Sequence, residues 1–256
     1  MLDYRTIKGK ILCTSGLHIH GSETGIRIGG IDPSLSIIRD PISELPYIPG
    51  SSLKGKIRFL LEHYKGMVRT DDQGNVPGVV IDNSINEIAV IFGHLDHQKL
   101  EQEFYKSQAE RNDELLTFPT RVIFHDSHVI GAIVYYNEES INSQKLLDVD
   151  QATIKMNSIF SEEKAEVAID RVSGTAQGGA LRTVERVPAG TVFEFEIVLR
   201  VFKEGEQDKH IEILKQGLKL LENDALGGFG SRGSGRIKFF ELTLDGEAFS
   251  LDEVTL

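Results

Sequence analysis

The fold is decided by the stretch Pro46–Tyr64, which reads PYIPGSSLKGKIRFLLEHY. Its prolines and Gly50 predict a rigid turn, so we expect a helix to begin just after Gly50, with Ser51 or Ser52 as its N-cap. Beyond this turn, apolar residues recur at helical spacing. They predict one buried helix face, formed by Leu53, Ile57, Leu60, Leu61 and Tyr64.

Polar and basic residues surround the start of this predicted helix, namely Ser51, Ser52, Lys54, Gly55, Lys56 and Arg58. Free backbone N–H groups, the helix dipole, hydroxyls and cations together are typical of a phosphate-binding helix start. The segment nearly matches the nucleotide-binding pattern G-x-x-x-x-G-K-[ST], but Ile57 replaces the hydroxyl that would hold magnesium. NTP hydrolysis is therefore disfavoured. An ordinary amphipathic helix and an RNA- or phosphate-binding helix both remain open on this stretch alone.

Composition excludes several classes of protein. The 256 residues carry a net charge of −11, and Cys13 is the only cysteine, so neither a disulfide nor a cysteine-based zinc site is expected. The N-terminal residues do not resemble a signal peptide and no apolar run could span a bilayer, so we expect a cytoplasmic protein without membrane contact. The negative charge argues against a freestanding nucleic-acid binder. Basic segments at 54–58 and 232–238 nevertheless leave room for a local basic groove.

A second motif, LGGFGSRGSGR, occupies residues 226–236. It contains G-x-G-x-x-G, but the match follows a predicted helix and precedes a predicted strand, which is the wrong context for a dinucleotide site. Arginines interleaved with glycines favour close approach of the backbone to phosphodiester oxygens, and a flexible surface linker is the alternative. The candidate RNA-binding residues here are Gly228, Gly230, Ser231, Arg232 and Gly233.

A long glycine-bearing loop spans residues 21–40 and contains Asp32 directly after IGGI. Loops of this length inside a compact domain are usually functional, although Asp32 could simply be a turn residue before Pro33. His18 and His20 share one face of the segment before the loop. Without a third ligand at metal-binding spacing, a hydrogen-bonded loop histidine is favoured over a metal site.

The remaining pattern predicts strands over 6–14, 121–126, 130–136, 191–202 and 237–244, and a helix over 209–223. A hairpin is expected over 164–186, with its turn in the glycine-containing region 174–179. The order predicts an α+β fold, a ferredoxin-like (RRM-like) β-α-β-β-α-β core with insertions. The aromatic RNA-recognition motif is absent, so base stacking on the sheet is not expected.

The segments IGGID, IIRDP, PGSSLKGKIR, RVIFHD, the IDR–ERVPAGT region and GGFGSRGSGR occur in an order that resembles the repeat-associated RNA-binding (RAMP) superfamily of CRISPR systems, in particular the backbone subunit of type III-A effector complexes. The resemblance implies a single domain over 1–256, with a ferredoxin-like palm at about 5–66, 120–136 and 190–244. Insertions would lie at about 67–119 and 137–189, and the second would contain a protruding β-hairpin thumb.

The resemblance also implies a function. Copies of such a subunit would form a helical filament on CRISPR guide RNA together with other type III effector subunits. They would cleave a paired target RNA at regular intervals, with Asp32 as the catalytic residue and the ligand of a divalent cation, Mg²⁺ or Mn²⁺. His18, the residues of the helix start and those of the glycine-rich motif would bind RNA. The spacer PSLSII after Asp32 is longer than the family's pattern. A non-catalytic, structural RNA-binding subunit of a related complex is the alternative.

Overall fold

The computed structural model describes residues 3–21, 35–68, 87–93, 119–134, 144–156 and 160–256. Within these ranges the helices are α1 (Gly50–Tyr64), α2 (Glu87–Phe92), α3 (Val149–Met156) and α4 (Glu206–Glu222). The strands are β1 (Asp3–Cys13), β2 (Tyr47–Ile48), β3 (Val122–Phe124), β4 (Ser127–Ala132), β5 (Glu162–Ile169), β6 (Ala176–Arg186), β7 (Thr191–Val201), β8 (Ile237–Leu244) and β9 (Glu247–Ala248).

The main sheet has the strand order β2-β4-β7-β1-β8-β9, and β3 also pairs with β7. All of these pairs are antiparallel, with β1 between β7 and β8. The predicted α+β class is confirmed in this form, a mixture of helices and an antiparallel sheet. No helix in the described ranges is long and apolar enough to cross a membrane.

Strand β7 and helices α1 and α4 share one hydrophobic cluster, which is the core of the molecule. The predicted strand at 191–202 is present as β7, and its alternate residues Phe193, Phe195, Ile197, Leu199 and Val201 are all buried. On α1 the predicted face holds for Leu53, Ile57 and Leu61, whereas Tyr64 is exposed at the last turn. The two helices touch at Gly217 of α4, where an added Cβ would lie 2.5 Å from Cγ2 of Ile57.

The two predicted strands at 121–126 and 130–136 lie end to end along the same edge of β7, as β3 and β4. They are separated at His125 and Asp126, where the peptide of His125 still donates to the carbonyl of Glu196. Asp126 instead contacts the start of α1, as shown below. The sequence pattern could not reveal this interruption, because the partner of Asp126 is distant in the chain.

The predicted hairpin is present as the separate two-stranded sheet β5–β6, but its predicted turn was wrong. Gly178 and Gly179 lie within β6, and the chain reverses at residues 170–175. There the Asp170 carboxylate accepts hydrogen bonds from the peptides of Val172 and Ser173 and from the Ser173 hydroxyl. An aspartate that bonds the backbone two and three residues on is sufficient to set a turn without the glycine pair.

Candidate nucleic-acid interface

Helix α1 begins one residue earlier than predicted, and neither serine caps it. The N-cap position is Pro49, without a side-chain cap. The Gly50 peptide donates to Oδ1 of Asp126 at 2.7 Å, and the peptides of Ser52 and Leu53 donate to the carbonyl of Pro49. A carboxylate of the protein itself therefore occupies the helix start. A phosphate at the same N–H would compete with Asp126.

The three predicted cations of α1 differ in their surroundings. Arg58 bonds Glu62 at 2.7 Å and the carbonyl of Gly93 at 2.9 Å, so its role is internal. Lys56 pairs with Asp224 at 3.2 Å. Lys54 has no carboxylate partner among the described residues. Burial lowers its pKa, and the nearby charges of Arg58 and Arg200 lower it further. An incoming phosphate would offset this repulsion, so Lys54 is the cation of α1 best suited to a ligand.

Gly55, also predicted to bind RNA, is exposed on α1, and an added Cβ there would meet nothing within 4 Å. Packing within the described part of the chain therefore gives no reason for a glycine at this position. Close approach of a ligand backbone to the helix would give one.

The segment Leu226–Gly235, which we call the glycine loop, is folded on itself and is not a flexible linker. The Leu226 peptide donates to the carbonyl of Gly235 at 2.9 Å. The loop also docks on the chain after β1, because the peptides of Gly228 and Gly235 donate to the carbonyls of His18 and Gly16. An added Cβ on Gly235 would lie 2.1 Å from the carbonyl oxygen of Leu226, so packing requires glycine here.

The outer part of the glycine loop, Ser231–Gly233, is exposed. The guanidinium of Arg232 lies 4.1 Å from the centre of the Phe229 ring and 3.5 Å from the Glu166 carboxylate, with its side chain 40% exposed. The Lys164 ammonium of β5 donates to the Arg232 carbonyl at 3.2 Å. The hairpin therefore supports the loop from one side and leaves Arg232 accessible to a ligand.

His18 is a packing residue in this structure. Its side chain is buried, its Nδ1 donates to the carbonyl of Glu185 at 2.8 Å, and its ring lies 4.7 Å from the ring of Phe229. Burial lowers the pKa of His18 and favours the neutral imidazole. This geometry agrees with the alternative of a hydrogen-bonded histidine, and direct contact of His18 with RNA stays a prediction.

The first turns of α1 contact the residues that follow α4 and lead into the glycine loop. Helices α1 and α4 pack together where Gly217 faces Ile57. The Lys56–Asp224 ion pair joins the two segments. We call the first turns of α1 and the glycine loop together the basic surface. In it Lys54 has no carboxylate partner among the described residues, and the side chain of Arg232 is 40% exposed.

Asp32 and the Gly29–Gly30 pair lie outside the described residues. The nearest described aspartate, Asp40, accepts hydrogen bonds from the peptides of Ile42 and Ser43 and from the Ser43 hydroxyl, and these lower its pKa. It is therefore a turn residue. In the described ranges no three His, Cys, Asp or Glu side chains converge to hold a metal ion.

Sequence reasoning missed two acidic residues of this region, Asp126 and Glu185. Asp126 ends the quoted segment RVIFHD, but its partner at Gly50 is 76 residues away. Glu185 lies at the buried end of β6, where a charge beside Val184 and Val187 was the only signal in the sequence. Both contacts join segments that are remote in the chain.

Comparison with known proteins gives consistent matches over most of the chain. The model of the RAMP superfamily matches residues 10–238. The CRISPR system Cms endoribonuclease Csm3 of Methanocaldococcus jannaschii is 36% identical over 245 residues, which cover 93% of this chain and 82% of that protein. The protein of the same name from Enterococcus italicus is 33% identical over 240 residues, which cover 93% and 91% respectively.

Among solved structures, a chain of the type III-B Cmr-beta complex bound to cognate target RNA matches with a TM-score of 0.52 at 17% identity. The match covers 95% of this chain and 61% of that one. At this level of identity the likeness concerns the fold alone.

Proposed function

Because this chain belongs to the RAMP superfamily, we propose that it is the guide-RNA-binding backbone subunit of a type III CRISPR interference complex, and that it cleaves complementary target RNA. The curated relatives are named as endoribonucleases, which supports the enzymatic part of the proposal. The complex would act in the cytoplasm.

The observation that carries the RNA-binding proposal is the basic surface. Lys54 has no carboxylate partner in the described part of the chain, and Arg232 is exposed on a loop with a fixed backbone. Both groups can reach phosphates but neither is built to read a base, as suits a subunit that binds guides of varying sequence. Because Asp126 already accepts the Gly50 N–H, the proposed phosphate contacts come from side chains and from the exposed face around Gly55.

We further infer a ferredoxin-like palm. The strand order β8-β1-β7-β4, with α1 after β1 and α4 after β7, fits a β-α-β-β-α-β core, and β3 extends the β4 edge. In this reading the β5–β6 hairpin is the thumb. Identical subunits in head-to-tail contact generate open helical filaments, as tiling along a guide requires.

Cleavage of RNA needs little from the protein, because the strand contains its own nucleophile, the 2′-hydroxyl. In the proposed reaction Asp32 helps to pose the scissile strand and binds a divalent cation, Mg²⁺ or Mn²⁺, which when bound would neutralise charge at the phosphate. Two described carboxylates, those of Asp40 and Glu185, are engaged in hydrogen bonds within the chain. Phosphate oxygens and water would complete the coordination.

The test compares Asp32→Asn with Asp40→Asn in assembled complexes. Both changes remove one negative charge and retain side-chain size, and the amide oxygen that Asp40→Asn introduces can still accept the peptide hydrogen bonds of its turn. We expect Asp32→Asn to lower the cleavage rate by about 10²–10⁴-fold, the usual effect of losing such a group. Guide and target binding should persist, and Asp40→Asn should cleave at close to the normal rate.

Binding and cleavage are to be measured on the same labelled RNA. Normal cleavage by Asp32→Asn would remove Asp32 from the reaction. Complexes of the unaltered protein that bind target but do not cut it would support the alternative, a structural subunit without activity.

A further inference from the structure

The two ends of the segment that contains Asp32 are joined to each other. The Ile38 peptide donates to the carbonyl of Ile19 at 2.8 Å, and the Gly21 peptide donates to the carbonyl of Ser36 at 3.2 Å. His20 and Ile37 form an isolated antiparallel bridge. Residues 19–21 and 36–38 therefore make a short two-stranded stem, from which the chain leaves and to which it returns.

One buried carboxylate attaches this stem to the base of the hairpin. Oε2 of Glu185 accepts the Ile37 peptide at 3.1 Å. Oε1 accepts Nη2 of Arg39 at 2.6 Å and the Ser161 hydroxyl at 2.7 Å. Burial by itself would raise the pKa of Glu185, but the hydrogen bonds from Ser161, Arg39 and Ile37 lower it overall. The residue is 8% exposed, and its carboxylate remains ionised at neutral pH.

The same end of β6 also reaches the basic surface. The backbone carbonyl of Glu185 accepts Nδ1–H of His18, whose own carbonyl accepts the Gly228 peptide. The next residue, Arg186, donates to the Ser234 hydroxyl at 3.2 Å. Glu185 and Arg186 thus contact the stem and the glycine loop respectively, and the hairpin base is the point at which both are positioned.

Stability alone does not account for a carboxylate at this place. Taking a charge pair out of water is costly, and apolar side chains of similar volume generally serve a core equally well. What the ionised group supplies is direction, because its two oxygens fix a backbone N–H, a guanidinium and a hydroxyl at once. Ile37 is five positions after Asp32 in the sequence, so the contacts of Glu185 fix the part of the stem that follows the segment carrying Asp32.

We propose that Glu185 is a positioning residue for cleavage, which orients the stem, and with it the two ends of the segment that contains Asp32, relative to the hairpin. This inference rests on the proposed function, since it presupposes that the chain cuts RNA. Glu185 touches neither RNA nor the reacting atoms and acts through Ile37 and Arg39.

The test is Glu185→Gln, with Glu163→Gln as the matched control. Glu163 is the exposed cross-strand neighbour of Glu185 on β5, so both variants remove one charge from the same part of the hairpin. We expect Glu185→Gln to lower the single-turnover cleavage rate at saturating target by about 10–100-fold, as loss of an orienting hydrogen bond does elsewhere. Target Kd and guide retention should stay near those of the control, with both variants measured well below their thermal midpoints.

A second variant, Arg39→Gln, breaks the same contact from the stem. If Glu185 acts partly through Arg39, the loss in the double variant should be smaller than the product of the two single losses, because the Glu185–Arg39 interaction is common to both changes. A double variant whose losses multiply would overturn the proposal. If Glu185→Gln fails to fold, Arg39→Gln provides the test alone. A well-folded Arg39→Gln complex that cuts at the normal rate would also overturn the proposal.

Different outcomes would contradict the proposed function and the role of Glu185. If unaltered complexes bind target without cutting it, the proposed function is wrong. If they cut and Glu185→Gln cuts equally fast, only the role of Glu185 is wrong. A loss of target binding in proportion to cleavage would also overturn it, because a positioning residue changes the rate and leaves Kd unchanged.

Discussion

At the scale of single residues, the two glycines of α1 differ in packing, since Gly50 is tightly packed and Gly55 is not. An added Cβ on Gly50 would lie 2.2 Å from the carbonyl oxygen of Phe124, which belongs to backbone and cannot move cheaply. We expect Gly50→Ala to destabilise the protein by about 1–3 kcal/mol, the usual effect of overpacking. Gly55→Ala meets no atom and should instead stabilise the helix by about 0.5–1 kcal/mol.

Urea unfolding of the two variants provides the measurement, and each serves as the control for the other. Equal stabilities would contradict the assignment of Gly50 as a packing point. The same Gly55→Ala protein should bind guide RNA more weakly despite its greater stability, if the ligand approaches this face of α1.

A second residue-scale prediction concerns acid sensitivity. Burial lowers the pKa of His210, and the neighbouring carboxylates of Glu206 and Glu87 only partly oppose this effect. Since the pKa is lower in the folded than in the unfolded state, stability from the neutral imidazole is present above about pH 6.5 and is lost as the pH falls through the folded pKa. His18 behaves in the same way.

The pH dependence of the unfolding free energy is the relevant measurement. We expect it to fall between pH 7 and pH 5, before the carboxylates of Glu185 and Glu206 are protonated, because their folded pKa values are lowered from 4.5. His210→Gln should flatten this slope by up to about 1.4 kcal/mol per pH unit, the value for one proton. An unchanged slope would mean that His210 is not the group responsible.

At the scale of secondary-structure elements, the hairpin divides into a structural base and an exposed arm. Val184 and Glu185 are buried, whereas Val167, Ile169, Val172 and Leu181 are exposed. We expect replacement of residues 167–181 by Asn-Gly, which joins the paired residues Glu166 and Arg182 through a two-residue turn, to leave the thermal midpoint within about 4 °C.

The same truncation tests the hairpin as the thumb. If the arm separates successive cleavage sites, the truncated protein should retain guide RNA while the regular spacing of products on target RNA is lost. A product ladder identical to that of the unaltered protein would exclude this hairpin from that role.

At the scale of the whole molecule, RNA binding must overcome a net charge of −11. Binding should therefore depend strongly on salt and on a small number of cations. We expect Lys54→Ala and Arg232→Ala each to weaken guide retention and to reduce the slope of log K against log salt by about one, the effect of losing one phosphate contact.

Lys203→Ala is the matched control for this measurement. Lys203 is exposed and precedes α4, whereas the glycine loop follows α4 about 25 Å away along the helix axis. The control should retain the slope of the unaltered protein. If the Lys54→Ala, Arg232→Ala double variant binds like the control at every salt concentration, the basic surface is not the RNA site.

Local patterns in the sequence were sufficient for the elements that form the core. The spacing of Leu53, Ile57 and Leu61, the alternation along β7 and the apolar face of α4 each lie within one short window of sequence. Periodicity reads such a window directly, because the buried face of a single helix or strand repeats along the chain. The two motifs, PGSSLKGKIR and GGFGSRGSGR, are likewise continuous in the sequence and could be recognised without the structure.

The tertiary structure decided the contacts between segments that are distant in sequence. Asp126 reaches Gly50, Glu185 reaches the stem at Ile37 and Arg39, and the glycine loop docks on Gly16 and His18. No local propensity encodes these partners, since each depends on how the chain returns to the same place after many residues. For that reason the sequence by itself determined which segments are candidates to bind RNA, and the packing decided which of their side chains are accessible and which are held by internal contacts.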